Sequence, residues 1–127
     1  MVKLVPVLGT LVLLGAIVQV VFGFQVAARV ETLRMPHIAF GLIGLILVIA
    51  LAAIAFRTKT STLYSKITIS ILTIVVLLQV VLGFQLLSGA KAMLVSHEAN
   101  GFLVVLLSLV MGGITSMSAR KQRTQPT

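Results

Sequence analysis

The sequence predicts an all-α fold: an integral membrane four-helix bundle made of two tandem helical hairpins related as a parallel repeat. Three observations carry that prediction. First, 59% of the 127 residues are hydrophobic, 9% are charged and the mean hydropathy is +1.21, a composition unsuited to a water-soluble domain. Second, four stretches lack Asp, Glu, Lys and Arg: Leu4 to Ala28, Met35 to Phe56, Ile67 to Ala90 and Ala99 to Ala119. Each reaches the roughly 20 residues that an α-helix needs to cross about 30 Å of hydrocarbon. Third, the phrase Gln19-Val-Val-Phe-Gly-Phe-Gln25 returns as Gln79-Val-Val-Leu-Gly-Phe-Gln85. At that offset of 60 residues, 9 of the 23 positions from Gln19 to Gly41 are identical, including His37 with His97 and Gly41 with Gly101. The chain is therefore an internal duplication.

Taken in order, the first span ends near Arg29 and a short polar connector, Arg29 to Arg34, leads to Pro36. Its length argues against a secretory signal, although Lys3 precedes the apolar run. The second span begins at Met35 or Pro36, where proline's missing N–H costs no hydrogen bond, and ends at Phe56. Arg57 to Thr62 forms a basic polar loop between the two copies. The third span runs from Leu63 or Ile67 to Ser88, and Gly89, Ala90 and Lys91 make the next turn. Ser96 is the expected cap of the fourth span, which reaches Met117. The whole is one domain over 1–127, with repeat one at 4–57, repeat two at 63–117 and a disordered cytoplasmic tail at 118–127.

Net charge is +8, but its distribution points to a lipid bilayer and not to nucleic acid. Lys3, Arg57, Lys59, Lys66, Arg120, Lys121 and Arg123 flank one side; Arg29, Arg34 and Lys91 lie on the other with both acids, Glu31 and Glu98. By the positive-inside rule both termini are cytoplasmic, as expected in the plasma membrane of a prokaryote, and the histidine-bearing ends face outward. Cysteine is absent, which excludes disulfides, thiolate metal sites and covalently attached c-type haem.

Each hairpin crosses twice, so the second copy enters the membrane as the first did, and His37 and His97 lie at one depth on one side. They are the only histidines. Two imidazoles facing each other across a pseudo-twofold axis are the ligand set of a haem iron held from both faces, with a structural role as the alternative. At about 100° per residue, His37, Gly41 and Gly44 share one face of span two, and His97, Gly101, Val104 and Ser108 one face of span four. Gln19, Phe22, Gly23 and Val26 align on span one; Gln79, Leu82, Gly83 and Leu86 align on span three. Gly23, Gly83, Gly41 and Gly101 fall at similar depth and give clearance for a flat ligand, although small residues also serve helix packing in lipid. The glutamines are expected to hydrogen-bond between helices. Arg29 and Arg34 are candidates for haem propionates or for lipid headgroups. Glu98 points about 100° away from His97 and is a poor co-ligand.

The pattern Gln-x-x-x-Gly followed 14 residues later by a histidine, as in Gln79, Gly83 and His97, resembles the outer-side motifs of heme A synthase, the cytochrome oxidase assembly family. The chain is similar to one of that family's two four-helix halves and to compact archaeal members with a single bundle. The resemblance implies that His37 and His97 are axial haem ligands. It departs at Arg34 and Ile38, where the family's catalytic half carries a glutamate and usually an arginine, and in lacking the outer-loop cysteine pair. No catalytic residue is therefore assigned, and Glu31 is a distant candidate for the missing acid.

Three functions follow as expectations. The first is a small b-type cytochrome with bis-histidine haem, exchanging electrons with respiratory complex subunits or quinol. Haem O or haem A are alternatives to haem b as cofactor. The second is a heme A synthase-like enzyme or assembly factor, working as a homodimer. The third is a structural subunit without cofactor.

Overall fold

The computed structural model describes residues 4–59 and 61–123; Lys3 and the last four residues of the expected tail lie outside them. Four long helices follow one another: α1 (Leu4–Ala27), α2 (Arg34–Arg57), α3 (Leu63–Leu87) and α4 (Leu94–Arg123). A single 3-10 turn precedes α2 (Glu31–Leu33) and another precedes α4 (Lys91–Met93). Each long helix contains a segment long and apolar enough to cross a membrane. Their outer faces carry exposed Leu11, Ile46, Ile74 and Leu106, an exterior matched to hydrocarbon.

Short connectors make each helix antiparallel to the next, and α1 packs on α2, α2 on α3, α3 on α4 and α4 back on α1. Among the described residues the backbones of the diagonal pairs α1 with α3 and α2 with α4 stay apart, and only side chains meet across the centre. The centre is filled only in the half nearer the termini. There Leu51, Ile69, Leu72 and Met111 are fully buried, with Val5, Val12, Val48 and Ala55 around them. Gly9 lets α1 approach α4 there: a Cβ on it would stand 3.1 Å from Met111 Cε. The hydroxyls of Ser108 and Thr115, buried in that core, donate to the carbonyls of Val104 and Met111 at 2.7 and 3.0 Å, which satisfies both.

The duplication extends to backbone detail. In hairpin one, Val30 N–H bonds to Gln25 O and Arg29 N–H to Val26 O; in hairpin two, Ala90 N–H bonds to Gln85 O and Gly89 N–H to Leu86 O. Both are Schellman caps, which need a left-handed residue just past the helix end. Arg29 (φ 66°) and Gly89 (φ 97°) occupy that place. Glycine adopts it without strain, whereas arginine brings its Cβ against the backbone.

Two sequence expectations are corrected. Ser96 does not cap the fourth span, because the chain leaves the Schellman turn through a 3-10 turn and is already helical at Leu94. Nor is 118–127 irregular throughout: α4 continues to Arg123, since Ser118 to Arg123 contains no glycine or proline to stop it. At the start of α3, Thr62 is a true cap and accepts from Ser65 N–H at 3.2 Å.

Candidate functional site

In the half of the bundle away from the termini, side chains leave the centre unfilled. A cavity of about 440 Å³ lies there, within the range of roughly 300 to 1,000 Å³ usual for small-molecule sites. It is apolar for most of its depth, between Val12, Val48, Val76 and Val104, and its polar groups gather toward one end.

His37 and His97 are each the fourth residue of their helix, on the diagonal pair α2 and α4. Both face the cavity, with ring centroids 6.1 Å apart and ring planes at 80°. That spacing can be tested against a shared metal. Two imidazoles that bind one ion from opposite sides, each through a nitrogen about 2 Å away, bring their centroids about 6 Å apart once the ring radii are added. The centroid spacing of 6.1 Å matches that distance. Their Nδ1 atoms are buried without a hydrogen-bond partner among the described residues, as suits rings whose orientation is set by packing.

The packing comes from α1 and α3. A Cβ on Gly23 would stand 3.3 Å from His37 Cε1, and one on Gly83 would stand 3.3 Å from His97 Cε1. These two glycines make the seats of the imidazoles. Gly41 and Gly101 do a different job: a Cβ there would meet Gln19 Nε2 at 2.7 Å and Gln79 Nε2 at 3.3 Å. They make room for glutamine amides that reach across from α1 and α3. Gln19 and Gln79 thus enter the histidine layer, while Gln25 and Gln85 are exposed.

Of the other expected residues, Gly44, Val26 and Leu86 line the cavity, whereas Phe22 turns aside to pack edge-on against Phe40, centroids 5.6 Å apart. Leu82 is buried at 9% exposure but does not line the cavity. Arg34 stands at the cavity's edge, 3.7 Å from Glu31 in an exposed ion pair, and Glu31 and Glu98 line the same edge. Arg29 is in the turn and is not among the lining residues.

Sequence reasoning passed over Asn100. It lies three residues after His97, is buried at 7% exposure, and its Nδ2 donates to Gln79 Oε1 at 2.7 Å and to Val75 O at 3.0 Å. Gln79 Nε2 in turn lies 3.3 Å from His97 Nε2. The available signal was that Asn100 is the only asparagine in the chain and falls one helical turn from a histidine. Among the described residues no group of three or more His, Asp or Glu side chains is placed to hold a metal ion. Comparison with protein families, characterised proteins and solved structures finds no match to this chain.

Proposed function

We propose that the protein is a small b-type cytochrome of a prokaryotic plasma membrane, with both termini in the cytoplasm and one haem held between His37 and His97 near the outer face. The observation that carries this reading is the 6.1 Å separation of the two imidazoles across an apolar cavity. When bound, the haem would supply one-electron chemistry, and holding it through both histidines would favour electron transfer over oxygen binding. The chain's own residues bind and orient it. His37 and His97 would hold it, Gly23 and Gly83 seat their rings, and Arg34, paired with Glu31 at the cavity's edge, would be a cation near a propionate. The electron partner in this reading is a respiratory complex subunit or quinol in the outer leaflet.

An optical spectrum of the purified protein tests it. The expected result is a six-coordinate low-spin haem that pyridine extraction identifies as haem b, lost in both His37→Ala and His97→Ala. Colourless protein from haem-replete cells, or an unchanged spectrum in either variant, rejects the pairing and leaves a cofactor-free structural subunit.

A second reading, an enzyme or assembly factor resembling heme A synthase, is favoured by one observation: Glu31 lines the cavity edge and supplies an acid near the histidines. Co-expression with a haem O-producing enzyme separates the two. An electron carrier leaves that pigment unaltered.

A further inference from the structure

We propose that Val75, Asn100 and Gln79 form a relay that holds His97 as its Nδ1–H tautomer with the Nε2 lone pair engaged by the Gln79 amide, making His97 the exchangeable histidine of the pair and His37 the resident one. The ligand-exchange part rests on the haem reading above; the tautomer part stands without it.

The relay's direction follows from its one fixed end. A backbone carbonyl only accepts, so the Asn100 atom 3.0 Å from Val75 O is the amide nitrogen. That same nitrogen is 2.7 Å from Gln79, which must therefore present its oxygen. The remaining Gln79 group, an NH₂, faces His97 Nε2 at 3.3 Å and can only donate to it. An imidazole nitrogen that accepts carries no proton, so in the neutral ring the proton is on Nδ1. Flipping either amide would set donor against donor or acceptor against acceptor.

Hairpin one cannot build this relay. Phe40 stands where Asn100 stands, so no side-chain amide bridges the Gly15 carbonyl, the counterpart of Val75 O, to Gln19. Gln19 Oε1 is buried without a partner among the described residues, so its oxygen end lacks the anchor that Asn100 gives Gln79. Whenever a bond to His97 Nε2 opens, an anchored donor is in place to recapture the lone pair; His37 faces only an unanchored one. Gln79 and Asn100 are positioning residues in this scheme, and an external ligand enters on the His97 side.

Two measurements on the full chain in detergent test the proposal. In ¹⁵N spectra of haem-free protein, His97 is expected as a single Nδ1–H tautomer, with the Nε2–H form becoming the major one in Asn100→Leu. Carbon monoxide titration of the ferrous haem-loaded protein is expected to show half-saturation raised about threefold or more in Asn100→Leu and in Gln79→Met, and unchanged in Phe40→Leu. Gln79→Met keeps the side chain's length without its N–H and serves if Asn100→Leu does not fold. An Nε2–H tautomer in the wild type overturns the relay, and carbon monoxide binding indifferent to both variants overturns the exchange. Protein that gives the expected ¹⁵N pattern yet takes up no haem rejects the cytochrome reading and the exchange together, while supporting the relay.

Discussion

Hairpin one (α1 and α2) and hairpin two (α3 and α4) set a histidine, a glutamine and two glycines at equivalent positions, and positions 11–20 and 71–80 share one pattern of burial residue for residue. The polar bonding differs. In hairpin two, Asn100 anchors Gln79 against His97; in hairpin one, Phe40 packs on Phe22 and Gln19 Oε1 has no partner among the described residues. A duplication keeps its shape through small and apolar residues, which many sequences satisfy. Hydrogen bonds between helices require both members, so a single asparagine is enough to make the halves unequal.

The largest expected contrast is between the glutamines. Gln79→Leu leaves the oxygen-seeking amide of Asn100 and His97 Nε2 short of partners and should cost about 2 kcal/mol, whereas Gln19→Leu removes an already unpartnered oxygen and should cost at least about 1 kcal/mol less. Thermal unfolding in detergent measures both, and equal losses would erase the distinction between the hairpins. Next come the caps. Gly89→Ala should destabilise by about 1 kcal/mol because alanine resists the left-handed conformation, and Arg29→Gly should stabilise by up to about 1 kcal/mol for the converse reason. Matching signs for the two changes would mean that the cap is not what distinguishes these turns.

The smallest contrast concerns the glycines beneath the amides. A methyl at position 41 meets Gln19 Nε2 at 2.7 Å, closer than the 3.3 Å at position 101, yet the amide it displaces has no partner on its oxygen among the described residues. Gly41→Ala is therefore expected to keep most of the gain of up to about 1 kcal/mol in helix propensity, and Gly101→Ala to lose part of it by straining an anchored amide. Chemical denaturation of the two variants side by side resolves the order. A larger loss at position 41 would show that distance outweighs anchoring.

Helix number, hairpin order and the equal depth of the two histidines were legible in the chain, because lipid demands continuous apolar helices and a parallel duplication carries each residue to the same level as its counterpart. Helix faces read at 100° per residue also put Gly23, Gly83, Gly41 and Gly101 in the histidine layer. What each glycine accommodates was not legible there. A face is a property of one helix, whereas the neighbour that fills the space belongs to another.

The sequence by itself determined a duplicated, four-span apolar bundle with two histidines at matching positions, since composition and periodicity act along a single chain. Only the tertiary structure decided that the diagonal backbones stay apart around a cavity with the imidazole centroids 6.1 Å from each other, and that Asn100 bonds to the glutamine beside one of them. Both depend on the rotation and spacing of packed helices, where a shift of about 1 Å makes or breaks a hydrogen bond while leaving every local pattern unchanged.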